Sequence, residues 1–294
     1  MNVALVGATA SGKSAVAMEV ARALGDVEII SVDSMQVYRG LDVGTAKPTP
    51  AERGAVPHHL LDLVEVEEEF SVAEFQRAAR DALDDIAARG RHALLVGGTG
   101  LYLRAVIDDL ELPGQYPAAR AALAAEPDTT VLHARLAALD PVAAARTTTS
   151  NRRRIERALE VTIGSGRPFS TFGPGLDAYP PVDTTQIGLD VPLEELDRRI
   201  EGRVDAMLGD GLVAETAALR GRVLSRTAAV ALGYAEVLAH LEGACSLDEA
   251  RAETIRRTRR LARRQLRWFR RDPRITWVRP GDAVGVVMDA LIAR

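Results

Sequence analysis

Val3-Ala4-Leu5-Val6-Gly7-Ala8-Thr9-Ala10-Ser11-Gly12-Lys13-Ser14 opens the chain, and its reading decides the fold. Four apolar residues make a short strand, the next eight fit G-x-x-x-x-G-K-[ST], and Lys13–Leu24 carries a helical period. Strand, glycine-rich turn and helix in that order are the context a phosphate loop requires. Its glycines let backbone N–H groups converge on phosphate oxygens, and the helix N-terminus adds the positive end of its dipole. Gly7, Ala8, Thr9, Ala10, Ser11, Gly12, Lys13 and Ser14 are therefore expected to hold a polyphosphate, with Lys13 as a point charge and Ser14 as a Mg²⁺ ligand. The motif specifies a polyphosphate, not a reaction.

Working outward, residues 28–31 read as a second strand, 71–89 as a long amphipathic helix and 93–96 as a third strand. This is the βαβ pattern of a parallel sheet covered by helices. From about residue 115 to 167 the pattern is wholly helical, with Ala-rich segments punctuated by Pro117, Pro127, Pro141 and Gly164-Ser165-Gly166. A Pro/Gly-rich loop over 168–181 closes it, which marks an all-α insertion. Strand returns at 184–191, helices at 193–208 and 212–219, a long basic helix at 247–270 and a last strand at Ile275–Val278. The expected fold is α/β, a P-loop NTPase-like parallel sheet flanked by helices. Its core comprises residues 1–114 and 182–294, and the helical insertion residues 115–181.

Composition bounds the function. At 294 residues, 47% hydrophobic and 27% charged, the chain is ordinary globular material, and with 4% aromatics its core must be aliphatic. The single Cys245 excludes a disulfide framework or a cysteine metal cluster and points to a reducing, cytoplasmic setting. No apolar run approaches the roughly 18 residues of a membrane span, and no charged leader precedes Val3–Val6, so no membrane association is expected. The formal charge of −4 taken alone argues against a nucleic-acid partner. Its distribution argues the other way. Residues 251–274 hold eleven arginines and two acids, a local charge of +9, which leaves −13 on the remainder. A solvated face is the usual fate of such a run, but nine net positive charges on one helix are costly to leave unpaired and an extended anionic partner such as RNA would explain them; Trp268-Phe269 within it offer either stacking or core packing. A second cluster, Asn151-Arg152-Arg153-Arg154-Ile155-Glu156-Arg157, starts a helix of the insertion. Only two of the 37 cations are lysine, Lys13 and Lys47, and the second is expected at a phosphate or substrate.

Three further segments bear on chemistry. Asp33 follows the second strand, at the sheet end where ligands of open α/β sheets bind; it suits a Mg²⁺ ligand, a proton acceptor or a turn-capping Asp. Gly97-Gly98-Thr99-Gly100-Leu101-Tyr102 closes the third strand as either a phosphate contact through Thr99 or a close-packed turn. His58-His59 are adjacent and cannot readily share a metal, so packing or capping is expected of them.

Taken together, these segments resemble the bacterial tRNA dimethylallyltransferase (IPP transferase) family. The match runs in order through the phosphate loop with Thr9-Ala10, Asp33-Ser34 through Tyr38, Gly44 to Pro48, His58 with Leu61-Asp62, Gly97 to Tyr102, Leu139-Asp140-Pro141, Arg157-Ala158-Leu159-Glu160-Val161, Arg203-Val204-Asp205 with Met207, Gly233-Tyr234, Thr258-Arg259 through Leu261-Ala262, Arg264-Gln265 and Trp268-Phe269-Arg270. A small-molecule or nucleoside kinase, the alternative reading, shares the first of these and hardly the others. A nucleotide-regulated RNA-binding module is a third.

The resemblance implies that the loop holds the pyrophosphate of dimethylallyl diphosphate in place of ATP, with Mg²⁺, and that the acceptor is N6 of the tRNA adenosine immediately 3′ of the anticodon. It implies Asp33 as general base, and Lys13, Thr99 and Arg203 as stabilisers of the leaving group. Lys47 joins the diphosphate contacts. Asp33, Ser34, Met35 and Gln36 would line the adenosine site, and Thr99 and Arg120 would contact tRNA close to one another. Arg153, Arg154, Ile155, Glu156 and Arg157, and Arg263, Arg264, Gln265, Arg267, Trp268 and Arg270, match tRNA-binding segments. The insertion would grip the anticodon stem-loop, and the protein would act as a monomer without an obligate protein partner. The chain departs from the family pattern at Thr147-Thr148-Thr149-Ser150-Asn151 and at Leu193.

Overall fold

The computed structural model of the chain describes residues 2–173 and 175–293; Met1, Pro174 and Arg294 lie outside the described residues, and with them the outermost positions of the expected core segments. In chain order the elements are β1 Val3–Val6, α1 Lys13–Leu24, β2 Val27–Val32, α2 Pro50–Ala55, β3 His58–His59, α3 Val72–Ala88, β4 His92–Gly97 and α4 Gly100–Ile107. Next come α5 Pro117–Ala124, α6 Thr129–Leu139, α7 Pro141–Ala145 and α8 Arg152–Ser165. The remainder is β5 Thr185–Leu189, α9 Leu193–Gly209, α10 Leu212–Ala217, α11 Tyr234–Leu241, α12 Leu247–Phe269, β6 Ile275–Val278 and α13 Ala283–Ile292.

The chain forms two compact units, residues 1–108 with 181–294, and Asp109–Pro180. In the first, six parallel strands take the order β3-β2-β4-β1-β5-β6, the helix-flanked parallel sheet expected from the sequence. β1 lies at its centre, all four residues buried, because helices cover both faces and leave no solvent side to alternate with. Strand pleating then sorts its side chains. Val3 and Leu5 join Val16, Val20, Leu94 and Val287 on the α1/α13 face, while Ala4 and Val6 join Ile30, Leu95, Phe75 and Tyr102 on the α3/α4 face.

Local signals set the boundaries of the long helices. Ser71 caps α3 and Ser246 caps α12, each reciprocated by the glutamate three residues on, Glu74 and Glu249. The pattern reading did not give α2, α11, β3 or α13, and the last two have a clear physical reason. His58-His59 form the edge strand β3, with His59 Nε2 2.6 Å from the buried Glu28, a pairing too short to show periodicity. α13 is apolar on nearly every side, so its helical state is decided by the sheet face it covers. Among the described residues no helix is long and apolar enough to cross a membrane.

The second unit has its own small core of Leu123, Leu132, Leu136, Ala143, Ile155 and Leu159. Asp128, Asp140 and Asn151 cap its helices α6, α7 and α8.

Candidate active site

Strands β2, β4 and β1 are neighbours, and the segment leaving the carboxyl end of each supplies one part of the site. β1 leads into the phosphate loop, where Ala10 and Gly12 take positive φ values of 63° and 99°. Gly12 is the N-cap of α1, brings no side chain to cap it, and no acid occupies the first turn; the leading N–H groups of α1 are left for an anion. Lys13 Nζ folds back over the loop and donates to the Ala8 carbonyl at 2.6 Å. Burial and the Arg203 guanidinium, opposed by Asp33, bring the Lys13 ammonium down to about 7. Burial likewise lowers Arg203, again against the pull of Asp33. Lys13, Arg203 and Asp33 thus form one electrostatic cluster.

β2 delivers Asp33. Its Oδ1 accepts from the Met35 amide at 2.8 Å and the Gln36 amide at 3.4 Å, a local turn that holds the carboxylate, and its Oδ2 has no partner among the described residues. β4 delivers Thr99, whose hydroxyl accepts from the Ser34 amide at 3.2 Å and whose own amide donates to Val32 O. Asp33, Ser34 and Thr99, expected together, therefore are together. The Gln36 amide is committed within the protein: Nε2 donates to Thr45 O and Ala46 O, and Oε1 accepts from Ser31.

A cavity of about 1130 Å³ opens beside the loop, lined by Gly12, Lys13, Ser14, Lys47, Arg199 and Arg203 among others. Lys47, expected on the diphosphate, lines this cavity, but its ammonium is committed within the protein. Its side chain is almost fully buried and its ammonium donates to Tyr38 O at 2.5 Å, Asp42 at 2.7 Å and Asp62 at 2.6 Å. All three N–H bonds are used, so Lys47 braces the 38–47 loop from beneath.

The same loop is held from the other side. Val43 N and Gly44 N donate to Glu215, and Tyr234 OH, which donates to Glu215 at 2.5 Å, accepts from Gly44 N. A Cβ at Gly44 would stand 2.4 Å from the Tyr234 ring, so the glycine is required for this close approach.

α9 supplies a cation that sequence reasoning missed. Arg199 donates to Ser11 O at 3.2 Å and pairs with Glu195. Its position one turn before Arg203 puts both guanidiniums on one helix face, and that spacing was the available signal. Ser14 is exposed and its hydroxyl has no partner, while no cluster of three His, Cys, Asp or Glu suited to a metal exists among the described residues. This donor set fits a divalent cation that takes most of its ligands from a bound polyphosphate and water.

The arginines of α12 divide into two sets. Asp197, Glu201 and Asp205, spaced by four along α9, pair with Arg263, Arg259 and Arg251 of the antiparallel α12. Arg257 pairs with buried Glu236, and Arg270 with Asp190 while stacking over Trp277 at 4.9 Å. Arg260, Arg264 and Arg267 are exposed and have no partner among the described residues. Gln265 and Trp268 turn toward the site: the Gln265 amide is bonded to Thr9 N and Gly98 O, and Trp268 packs on Gly100, where a Cβ would meet the indole at 2.1 Å.

In the helical unit, Glu160 is buried and accepts from Tyr116 N, Arg120 and Arg157 at 2.8–3.0 Å. Arg120 and Arg157 therefore have a structural partner. Ile155 is fully buried in the unit's core and cannot touch RNA in this arrangement, a correction to its expected role; Glu156 is paired with Arg152. Arg153 and Arg154 are exposed without partners among the described residues.

Comparison with known proteins accords with this geometry. The family model described as IPP transferase matches residues 36–272, beginning beyond the phosphate loop. The chain is similar to the tRNA dimethylallyltransferase of Streptomyces coelicolor, 54% identical over 286 residues that cover 96% of this chain and 91% of that one. It is also similar to the crystal structure of the tRNA isopentenylpyrophosphate transferase of Bacillus halodurans, with 38% identity, a TM-score of 0.71 and coverage of 99% and 95%. The tRNA delta(2)-isopentenylpyrophosphate transferase of Staphylococcus epidermidis gives 31% identity, a TM-score of 0.70 and coverage of 100% and 98%.

Proposed function

The chain belongs to the IPP transferase family, and on that premise we propose that it transfers the dimethylallyl group of dimethylallyl diphosphate to tRNA, at N6 of the adenosine immediately 3′ of the anticodon, releasing pyrophosphate. The observation that carries this reading is the convergence, at the ends of β1, β2 and β4, of an anion loop, a carboxylate with one oxygen uncommitted and a threonine hydroxyl. A kinase needs the loop but has no use for the unpaired arginines of α12.

The bonding changes assign the roles. N6 attacks C1 of the dimethylallyl group, the C1–O bond breaks with its electron pair passing to pyrophosphate, and one N6 proton must leave. An exocyclic amine is a poor nucleophile, so Asp33 takes that proton as the C–N bond forms, held by the Met35 and Gln36 amides. The loop amides, Lys13, Arg203 and the Thr99 hydroxyl stabilise the charge that develops on the leaving group. A diphosphate seated between Lys13 and Arg203 replaces their mutual repulsion with attraction and restores the full charge of Lys13. Ser14 is the protein ligand for Mg²⁺, which when bound neutralises part of the diphosphate charge.

Reaching N6 requires the base to leave the anticodon stack. Among the described residues Arg260, Arg264 and Arg267, and in the helical unit Arg153 and Arg154, are exposed and form no ion pair, and they are proposed to meet tRNA phosphates, the Asp109–Pro180 unit binding the anticodon stem-loop. The reducing environment suited to a lone Cys245 supports a cytoplasmic site of action.

Incubation with labelled dimethylallyl diphosphate, Mg²⁺ and unmodified tRNA carrying an adenosine beside the anticodon tests the reading. Nucleoside mass spectrometry is expected to find N6-dimethylallyladenosine. Unlabelled tRNA, or ATP turnover without RNA, would overturn it.

A further inference from the structure

We propose that Gln265 is a positioning residue that locks the phosphate loop to the β4 loop, and so couples the RNA-facing helix α12 to diphosphate binding, rather than an RNA contact. The inference rests on the transferase reading. Its basis is one side-chain amide used at both ends: Oε1 accepts from Thr9 N at 2.8 Å, and Nε2 donates to Gly98 O at 3.0 Å. Thr9 N can only donate and Gly98 O can only accept, which fixes the orientation of the amide. Three segments far apart in the chain, the loops after β1 and β4 and the C-terminal part of α12, are thereby joined at a single side chain.

The surroundings are built around that amide. A Cβ at Gly98 would stand 2.4 Å from Gln265 Nε2, so glycine at this position makes room for it. One turn along the same helix face, Trp268 packs against Gly100 and secures α12 to the start of α4. Arg260, Arg264 and Arg267 lie on a different face, exposed and unpaired among the described residues. α12 therefore presents cations to a polyanion on one side and grips the catalytic loops on the other. Any shift of the helix when RNA neutralises those arginines is carried by Gln265 to an amide of the phosphate loop. Coupling of this kind is reciprocal, so bound diphosphate must favour the RNA-engaged helix to the same degree.

The test uses the full chain, with inorganic pyrophosphate plus Mg²⁺ and dimethylallyl diphosphate as probes by calorimetry, tRNA by filter binding, and steady-state kinetics. Gln265→Met removes both hydrogen bonds and keeps the bulk. Gly98→Ala leaves residue 265 unchanged and displaces its flexible amide. Each variant is expected to weaken pyrophosphate binding about tenfold without RNA and to raise KM for dimethylallyl diphosphate similarly, while tRNA affinity stays within twofold. The enhancement of diphosphate affinity by tRNA, measured in the unsubstituted protein, should shrink in both. Combining the two substitutions should cost no more than either alone, a non-additivity that a general loss of stability would not produce. Loss of tRNA affinity with intact pyrophosphate binding would make Gln265 an RNA contact and overturn the inference, as would unchanged binding of both ligands. An unsubstituted protein that binds neither diphosphate would instead overturn the transferase reading, and this inference with it.

Discussion

Lys47→Met separates a phosphate-binding lysine from a structural one. Methionine keeps the volume of the buried stem, so the change removes an ammonium and little else. Three acceptors then lose a donor. The Tyr38 carbonyl belongs to a fully buried residue, and leaving it unsatisfied costs about 1–3 kcal/mol. Asp42 is half exposed and returns to water, at a cost of about 0–1 kcal/mol. Asp62 keeps its 2.6 Å contact with Arg53, which limits its share. The sum of the first two is about 1–4 kcal/mol, concentrated in the 38–47 loop.

The amides at positions 46 and 47, bonded to Val43 O and Asp42 O, report it directly. Hydrogen exchange there should accelerate by at least ~5-fold, since each 1.4 kcal/mol is a factor of about ten. The effect is also pH-dependent. Burial pulls the Asp62 carboxyl up, but hydrogen bonds from Lys47 and Arg53 hold it below its ordinary 3.8. Its stabilisation is thus present above that value and lost as pH falls through the lower native one, so the difference between the variant and the unsubstituted protein should narrow in acid. Unaltered exchange combined with a large loss of pyrophosphate affinity would refute this reasoning and return Lys47 to the diphosphate.

Asp33→Asn should lower kcat by about 10²–10⁴ while tRNA affinity changes no more than a few-fold, since only the proton acceptor is lost; single-turnover kinetics with retained kcat would show that another group is the base. Arg264→Ala and Arg267→Ala should each reduce the salt slope of tRNA binding by about 0.7–0.9, one phosphate contact apiece, and filter binding across a salt series that gives an unchanged slope would remove that residue from the interface. Glu160→Gln leaves Arg120 and Arg157 facing a neutral amide. Because both are partly exposed, destabilisation of the Asp109–Pro180 unit should be about 2–4 kcal/mol, read by limited proteolysis within the unit. Burial raises the Glu160 carboxyl, but the Tyr116 amide and the two arginines bring it below its ordinary 4.5, so this stabilisation holds above that pH and is lost below it. Equal proteolysis of both proteins at pH 7 would contradict the assignment.

How much was legible in advance follows from the range of the interactions. β1, the phosphate loop and α1 could be read residue for residue, because strand period, loop glycines and helix period are local. The serine and glutamate pairs that start α3 and α12 are equally local. β3 escaped because a two-residue edge strand has no period to detect, and α13 because an apolar run of that length does not declare its state. Within the site, Asp33, Ser34 and Thr99 were legible because strand ends in a parallel sheet converge. Lys47 was placed by the scarcity of lysine in the chain, and Ile155 and Gln265 by motif membership. Each owes its actual position to partners that sequence spacing does not reveal.

The charge of the C-terminal helix divides along the same line. Sequence by itself determined the fold class, the anion loop and the excess of arginine on α12, since these depend on composition, period and a contiguous motif. Only the tertiary structure decided which arginines are free. Asp197, Glu201 and Asp205 reach across from α9 to neutralise one face of α12, while Arg260, Arg264 and Arg267 form no ion pair among the described residues. The physical reason is that charge pairing falls off within a few ångströms and depends on which side chains the fold brings face to face, and no one-dimensional pattern carries that distance.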